Sequence, residues 1–110
     1  MKKLALLSLA LPALLAVQTL RADPAENYGK FCASCHGKDG AGKTKAGRLV
    51  KVKDLTDAQY QKTFTDDDAF KALKEGFQDK DGNTKMKPFA DKLPDDDIKA
   101  VVAYVRTLAK

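Results

Sequence analysis

The spacing of apolar residues separates the chain into an apolar N-terminal run and a more polar remainder with short periodic stretches. Residues 4–17 are almost wholly apolar, whereas the apolar positions beyond residue 22 are interrupted by polar ones. The clearest periodic stretch follows Pro94 and the acidic run Asp95–Asp97, and its spacing of three and four residues is typical of a helix. Its apolar members are Ile98, Val101, Val102, Val105 and Leu108, with Tyr104 beside them. This pattern predicts a C-terminal helix that buries one face.

Start and stop signals predict further helices. The sequence Asp23-Pro24-Ala25-Glu26 supplies a cap, a proline at the first helical position and an acid three residues after the cap, so a helix is expected to continue to Gly37. Residues Thr65–Asp68 resemble a capping box, and the helix that they begin is expected to end at Gly76. A short helical turn is expected between residues 56 and 62.

The remaining stretches favour loops. Residues 37–53 contain four glycines among many lysines, and Asp81-Gly82-Asn83 is a turn signal. The acidic runs 66–68 and 95–97 could suggest metal binding, but each lies at a predicted helix start, where carboxylates satisfy free amides and oppose the helix dipole. No convincing strand, internal repeat or second domain is seen. The sequence therefore predicts one mostly α-helical domain.

The N-terminal segment has the features of an export signal. Lys2 and Lys3 precede the apolar run, and Leu20-Arg21-Ala22 places a small residue before a plausible cut. A retained membrane anchor is the alternative, but a spanning helix needs about 20 apolar residues, and this run is shorter and contains Pro12. Residues 1–22 are therefore predicted to be a signal peptide that is removed, leaving domain 23–110 without stable membrane insertion.

Removal of the signal changes the charge. The full chain has 20 basic and 15 acidic residues, a net charge of +5. Three of the basic residues and none of the acidic ones lie within residues 1–22, so 17 basic residues remain against 15 acidic ones, a net charge of +2. Nucleic-acid binding consequently loses most of its support, and no nucleic-acid partner is expected.

The most specific pattern is Cys32-Ala33-Ser34-Cys35-His36, a C-x-x-C-H motif typical of c-type haem attachment. Residues three apart share one face of a helical turn, so both sulfurs can reach the two vinyl groups on one porphyrin edge. The imidazole of His36, the only histidine of the chain, can then approach the iron. One haem c, attached through two thioethers, is the expected cofactor.

Two other interpretations of the cysteines are weaker. A thioredoxin-like redox pair belongs in a βαβ context, and no strand-like run precedes Cys32. A structural zinc site needs four protein ligands, whereas the motif offers two thiols and one imidazole. Because the porphyrin would use both thiols, no disulfide is expected. An 88-residue domain is small for an all-protein core, so we expect the haem to form the core centre and the apoprotein to fold poorly.

Met86 is the candidate for the sixth iron ligand. Apart from Met1 it is the only methionine, and it lies in the sequence Asn83-Thr84-Lys85-Met86-Lys87-Pro88-Phe89, which does not have an apolar helical pattern. A methionine is more often a core filler than a ligand. Here, however, Pro88 could stiffen the segment, Phe89 could anchor it, and the 50 residues after His36 allow the chain to pass round the ring. The predicted metal ligands are thus His36 and Met86, since a thioether suits a c-type site.

The chain resembles the class I c-type cytochromes, the small soluble monohaem cytochromes c. The resemblance covers residues 23–110 and depends on Tyr28–Gly37, on Met86–Phe89, and on Leu93–Ile98 leading to Tyr104-Val105-Arg106. It implies a small all-α cytochrome c fold of about three to four helices around one covalently bound haem. It also implies crossed terminal helices, with Tyr28 or Phe31 against Tyr104, thioethers at Cys32 and Cys35, and a low-spin iron with His and Met ligands.

One departure from that family concerns the histidine. Many relatives have a proline in the loop after the haem motif, near a carbonyl that accepts a hydrogen bond from the axial imidazole. Residues Lys43-Thr44-Lys45-Ala46 contain no proline. A carbonyl acceptor for the His36 ring is still expected, because such partners fix ring orientation.

The expected function is periplasmic one-electron transport between redox proteins, without catalytic residues or enzyme activity. Two axial ligands leave no position for a substrate, and methionine favours the ferrous state. The alternative is a five-coordinate haem protein, a small peroxidase or gas sensor, if Met86 instead packs in the core. A thiol–disulfide oxidoreductase is a weaker alternative.

Basic residues indicate how partners could dock. Residues 38–53 carry six basic side chains and one acid, and Lys85 and Lys87 flank Met86. A positive rim would steer association with redox partner proteins that carry an acidic docking patch. Solvated lysines that serve only solubility are the alternative, since charge runs alone are weak evidence. We expect a monomer, and Arg48 is a candidate to meet a haem propionate.

Overall fold

The computed structural model describes residues 23–110 and, within the N-terminal segment, residues 3, 5, 7–10 and 12. The described residues form six helices and one small hairpin. In chain order these are α1 Pro24–Phe31, α2 Ala33–His36, α3 Lys45–Val50, α4 Ala58–Gln61, α5 Asp66–Glu75, β1 Phe77–Gln78, β2 Thr84–Met86 and α6 Asp95–Arg106. The predicted signal peptide lies largely outside the described residues.

Helices α1 and α6 pack together and enclose the core. The Tyr28 and Tyr104 rings meet at the contact, with centroids 5.2 Å apart, as the resemblance implied. Tyr28 belongs to a buried cluster with Cys32, Leu55 and Val101. Among the apolar residues of the C-terminal stripe, Ile98, Val101 and Val102 are buried, which confirms the predicted face. Cys32, the first cysteine of the haem motif, is therefore part of the core.

A polar clamp ties the end of α6 to α4 and α5. The Arg106 guanidinium donates to the backbone carbonyls of Gln61 and Phe64, and its Nε lies 2.8 Å from a carboxylate oxygen of Asp66. Gln61 is itself buried, and its Nε2 donates to the carbonyls of Leu55 and Val105 at 2.7 and 2.8 Å. Each of these groups is hydrogen-bonded, so the polar contact does not leave a buried donor unsatisfied.

The helix boundaries agree well with the start and stop signals. Asp23 caps α1, Thr65 and Asp68 form the capping box of α5, and Gly76 ends that helix. The acidic runs 66–68 and 95–97 lie in the first turns of α5 and α6. Among the described residues, no group of three or more His, Cys, Asp or Glu side chains could hold a metal ion.

Three predictions about the local structure are wrong. Residues 37–53 were expected to be a loop, but α3 lies within them because Thr44 caps a helix there. A strand was not expected, yet β1 and β2 pair antiparallel, with Phe77 opposite Met86. The first helix is interrupted at Cys32, so α1 and α2 are separate elements. The number of helices therefore exceeds the three to four expected, although the fold is mainly helical.

Within the part of the chain that the structure describes, no helix has the length and hydrophobicity needed to cross a membrane.

Candidate metal centre

Residues Cys32–His36, which we call the haem motif, form a single helical turn directly after α1. The N–H groups of Cys35 and His36 both donate to the carbonyl of Cys32, at 3.2 and 2.9 Å. Cys32 is buried and Cys35 half-buried, and both carry free thiols. The turn ends at Gly37, which has a φ of 79°, a left-handed value that glycine adopts without steric cost. The two thiols and the imidazole are therefore grouped within five residues.

Three different segments bind the backbone carbonyls at the end of this turn. The hydroxyl of Thr44 donates to the carbonyl of Cys35 at 3.0 Å. The N–H of Gly42 donates to the carbonyl of His36 at 2.7 Å. The hydroxyl of Tyr28 donates to the carbonyl of Gly37 at 2.7 Å. The backbone on both sides of His36 is consequently fixed from α1, from the following loop and from the cap of α3.

Helix α3 packs against α2 through a glycine. A Cβ atom at Gly47 would lie 2.2 Å from the carbonyl oxygen of Cys35 and 2.7 Å from that of Gly42, so only glycine fits. Thr44 caps the same helix by accepting a hydrogen bond from the N–H of Gly47 at 2.9 Å. The haem-motif turn and α3 therefore form one packed unit.

The hydrogen bonding of the His36 imidazole differs from the sequence-based expectation. Its Nδ1 is buried and has no hydrogen-bond partner among the described residues, so the expected carbonyl acceptor is not found. Burial lowers the pKa of His36 below its ordinary value of 6.5, which favours the neutral imidazole that can bind a metal.

Cys32 does not have the electrostatics of a reactive thiol. Burial, followed by the proximity of Cys35, raises the pKa of Cys32 to about 11. Reactive Cys-x-x-Cys motifs depend on a lowered thiol pKa, so this environment does not favour thiol–disulfide exchange.

Met86 lies at the end of β2, and the segment after it contacts the haem-motif region. The Phe89 ring packs on Phe31, the residue before Cys32, with centroids 6.1 Å apart. The N–H of Phe89 donates to the carbonyl of Leu73 in α5 at 2.9 Å. Phe89 thus anchors the segment, as the sequence suggested, and Met86 itself is half-buried.

The basic segment surrounds α3. All six of its basic side chains are exposed, namely Lys38, Lys43, Lys45, Arg48, Lys51 and Lys53. Leu49 lies among them with 74% of its surface exposed. Because Leu49 follows Gly47 by two residues, it lies on the side of α3 away from the face that packs on α2. Of the two lysines that flank Met86, Lys85 is within 3.7 Å of the Asp79 carboxylate.

The donor set fits a covalently attached haem. Two free thiols stand three residues apart on a helical turn, and a neutral imidazole follows at the next position. A thioether lies on a segment that is packed against the same region. Cys32 and Cys35 would hold such a group covalently, and the His36 imidazole and the Met86 thioether would be available to bind its iron.

Solved structures of c-type cytochromes resemble this chain. The c-type cytochrome KustC0563 is 30% identical, with a TM-score of 0.70 over 81% of this chain and 100% of that one. A tyrosine-to-phenylalanine variant of the same cytochrome is 29% identical, with a TM-score of 0.67 over 79% and 99%. A comparison with curated proteins gives no significant match.

A family model gives the same class. The model described as "Cytochrome C oxidase, cbb3-type, subunit III" matches residues 20–105, which is most of the chain. The chain therefore belongs to this family and is a small c-type cytochrome. Membership implies covalently bound haem iron and a role in electron transfer, in agreement with the C-x-x-C-H motif.

Sequence reasoning missed the two hydroxyl groups that bind the haem-motif backbone. The sequence places Tyr28 only at the helix crossing and Thr44 only in a loop. The spacing of Thr44 before Ala46, Leu49 and Val50 is a weak helix-start signal, but the glycine at position 47 obscures it.

Proposed function

We propose that this protein is a periplasmic one-electron carrier in which one haem c is attached through Cys32 and Cys35 and ligated by His36 and Met86. The packing of Phe89 on Phe31 is the observation that carries the proposal. It brings the Met86 segment, otherwise distant in sequence, against the end of the helix that leads into the attachment motif.

In this proposal His36 and Met86 would be the two side chains that bind the haem iron. When bound, the haem supplies reversible one-electron exchange between ferric and ferrous iron. The neutral imidazole of His36 and the neutral thioether of Met86 require no proton exchange when the charge of the iron changes. An iron bound by both side chains would have no coordination site left for peroxide or a gas.

The alternative is a five-coordinate haem protein, a small peroxidase or gas sensor, in which Met86 is only a packing residue. His36 is the only histidine of the chain and belongs to the attachment motif, so no second histidine is available for acid–base work. The sequence and the anchored Met86 segment therefore favour the carrier.

The exposed face of α3 is proposed to dock a redox protein with an acidic patch. Three features support this surface, which we call the α3 face and which comprises the exposed residues of segment 38–53. They are its six exposed basic residues, the exposed Leu49 within α3, and the direct packing of α3 on α2. Positive charge would accelerate encounter with an acidic partner. The apolar side chain would be covered in the complex.

The ligand set is tested by visible absorption of protein produced with its haem attached in the periplasm. We expect a low-spin spectrum with a methionine–iron charge-transfer band and no rapid uptake of carbon monoxide by the ferrous protein. Met86→Leu preserves size but removes the sulfur, so the band should disappear and carbon monoxide should bind. Lys87→Ala is the matched control in the same segment and should retain the band.

Two results would refute the carrier. Colourless protein from cells competent for haem attachment would exclude the cofactor. A wild-type protein that lacks the band and binds carbon monoxide readily would favour the five-coordinate alternative.

Docking is tested by the salt dependence of the electron-transfer rate with an acidic redox protein. The rate should fall as ionic strength rises, because exposed charges are screened. Lys45→Glu, on the α3 face, should slow the reaction at low salt more than Lys62→Glu, an exposed lysine outside that face. Equal effects of the two substitutions, or a rate insensitive to salt, would contradict docking through α3.

A further inference from the structure

We propose that Tyr28 and Thr44 are positioning residues for His36. They would fix the orientation of the axial imidazole through the backbone carbonyls on either side of it. This inference deepens the proposed function and depends on His36 being an iron ligand.

The two hydroxyls bind the carbonyls of the residues directly before and after the histidine. Thr44 donates to Cys35 at 3.0 Å, and Tyr28 donates to Gly37 at 2.7 Å. Since neither contact involves the imidazole, their effect on it passes through the main chain. Thr44 thus holds the peptide unit directly before the Cα of His36, and Tyr28 holds the peptide unit that follows Gly37, one residue further along.

The Tyr28 contact is held by the core. Its side chain is 2% exposed, its ring meets Tyr104, and its hydroxyl hydrogen bond is buried. Burial raises the pKa of the Tyr28 phenol above its ordinary value, so the hydroxyl stays protonated and remains a donor. The position of Gly37 is therefore coupled to the crossing of α1 and α6.

The Thr44 contact is held by α3. The same hydroxyl oxygen accepts a hydrogen bond from Gly47 and donates to Cys35, so it is a donor and an acceptor at once. The close approach of Gly47 to the Cys35 carbonyl keeps the two helices in register. A hydroxyl at position 44 thus serves both as the cap of α3 and as a hold on the haem-motif turn.

The imidazole itself gives the reason why the backbone contacts matter. A metal-ligating histidine usually has its second ring nitrogen hydrogen-bonded, and that bond fixes the ring orientation. Nδ1 of His36 has no such partner among the described residues. The ring orientation then depends on the main chain that carries it, and the carbonyl of His36 is also bound, by the N–H of Gly42.

The test compares four variants of the haem-loaded protein by proton NMR in the oxidised state. In a low-spin ferric haem, the spread of the four ring-methyl shifts depends on the orientation of the axial ligands. Tyr28→Phe and Thr44→Val each remove one donor and should change that spread. Thr44→Ser retains the hydroxyl and should restore the wild-type pattern. Ile98→Val, which trims a fully buried residue outside the Tyr28 cluster, should lower stability without changing the spread.

The outcomes separate positioning from general stability. Altered methyl shifts in Tyr28→Phe and in Thr44→Val, with recovery in Thr44→Ser, would support the proposal. Unchanged shifts in both donor-deleting variants, or the same change in Ile98→Val, would overturn it. If Tyr28→Phe fails to fold, the comparison of Thr44→Val with Thr44→Ser decides alone.

The visible spectrum keeps this test distinct from that of the carrier function. If the wild type has the methionine–iron band, the ligand set stands, and only the positioning role depends on the NMR result. If the wild type lacks that band, the proposed function fails before the variants are compared.

Discussion

The two segments that carry the proposed iron ligands are built very differently. His36 lies on a helical turn at whose end the carbonyls are bound by Tyr28 from α1 and by Gly42 and Thr44 from the segment that leads into α3. Met86 lies at the end of a hairpin in which only short strands pair. Its anchors are Phe89 on one side and the Asp79 turn on the other.

This difference indicates which of the two ligand-bearing segments opens more readily. Isolated two-stranded hairpins are marginally stable, and most residues of 77–88 are exposed. The turn that holds His36 is packed on both sides, by α1 and by α3. We therefore expect the thioether side of the site to open more readily than the imidazole side.

The largest effect is expected from Gly47→Val, which disrupts the packing of α3 on the turn that carries His36. A Cβ at position 47 would lie 2.2 Å from the Cys35 carbonyl, so α3 must move away from α2. Overpacking of this kind should lower the free energy of unfolding by about 3 kcal/mol. Urea unfolding of the haem-loaded protein measures it. A loss below about 1 kcal/mol would show that α3 is not rigidly packed on the turn.

Phe89→Ala should weaken the Met86 side with a smaller loss of stability. Since Phe89 is half-buried, we expect about 2 kcal/mol, less than for a fully buried phenylalanine. Cyanide uptake by the ferric protein should accelerate, because the Met86 segment loses its contact with Phe31. Phe70→Ala, a half-buried phenylalanine in α5, is the control and should not change the uptake rate. Equal acceleration in both variants would remove the distinction between the two sides.

Gly29→Ala should stabilise the imidazole side without altering its chemistry. Gly29 is exposed within α1, and a Cβ there would meet nothing within 4 Å. Alanine should therefore raise the free energy of unfolding by about 0.5–1 kcal/mol. Thermal unfolding checks the gain, and the visible spectrum should remain unchanged. A lower melting temperature would mean that the backbone at Gly29 is approached more closely than the structure indicates.

The smallest effect is expected at low pH, from loss of the Asp79 carboxylate in the turn of the hairpin. The backbone N–H of Asn83 donates a hydrogen bond to the Asp79 carboxylate, and this is the main reason why the pKa of Asp79 lies below its ordinary value of 3.8. A hydrogen bond from the Asn83 side chain lowers the pKa further. The unfolded chain therefore binds a proton before the folded one does. The stabilisation is complete above the unfolded pKa and is lost as the pH falls through the folded pKa. In Asp79→Ala the melting temperature should fall less steeply below about pH 4 than in the wild type. Parallel profiles would contradict a role for this turn in acid stability.

The start and stop signals predicted most of the helical fold. Asp23, Thr65 and Gly76 mark helix ends through local hydrogen bonds and backbone conformation, which depend on few neighbours. The apolar stripe of α6 was visible because its burial requires periodicity. The strands were not visible, because Phe77 and Gln78 alone are too short to show alternation.

The sequence predicted which residues make up the candidate site, but not the hydrogen bonds and packing that hold them in place. The attachment motif is contiguous, and Met86 could be selected because few methionines exist. The hydrogen bonds of Tyr28 and Thr44 connect residues nine positions away, across a turn whose shape the sequence does not state. Gly47 illustrates the difficulty, since glycine disfavours a helix locally and is required there by packing.

The meeting of Tyr28 with Tyr104 has a consequence for the order in which the molecule matures. Residues near both ends of the domain must come together before the core closes, and closing so long a loop costs conformational entropy. The contacts of Thr44 and Gly42 with the cysteine-containing turn involve only nearby residues. We therefore expect an emerging chain to present its two thiols to the attachment machinery before its last helix docks.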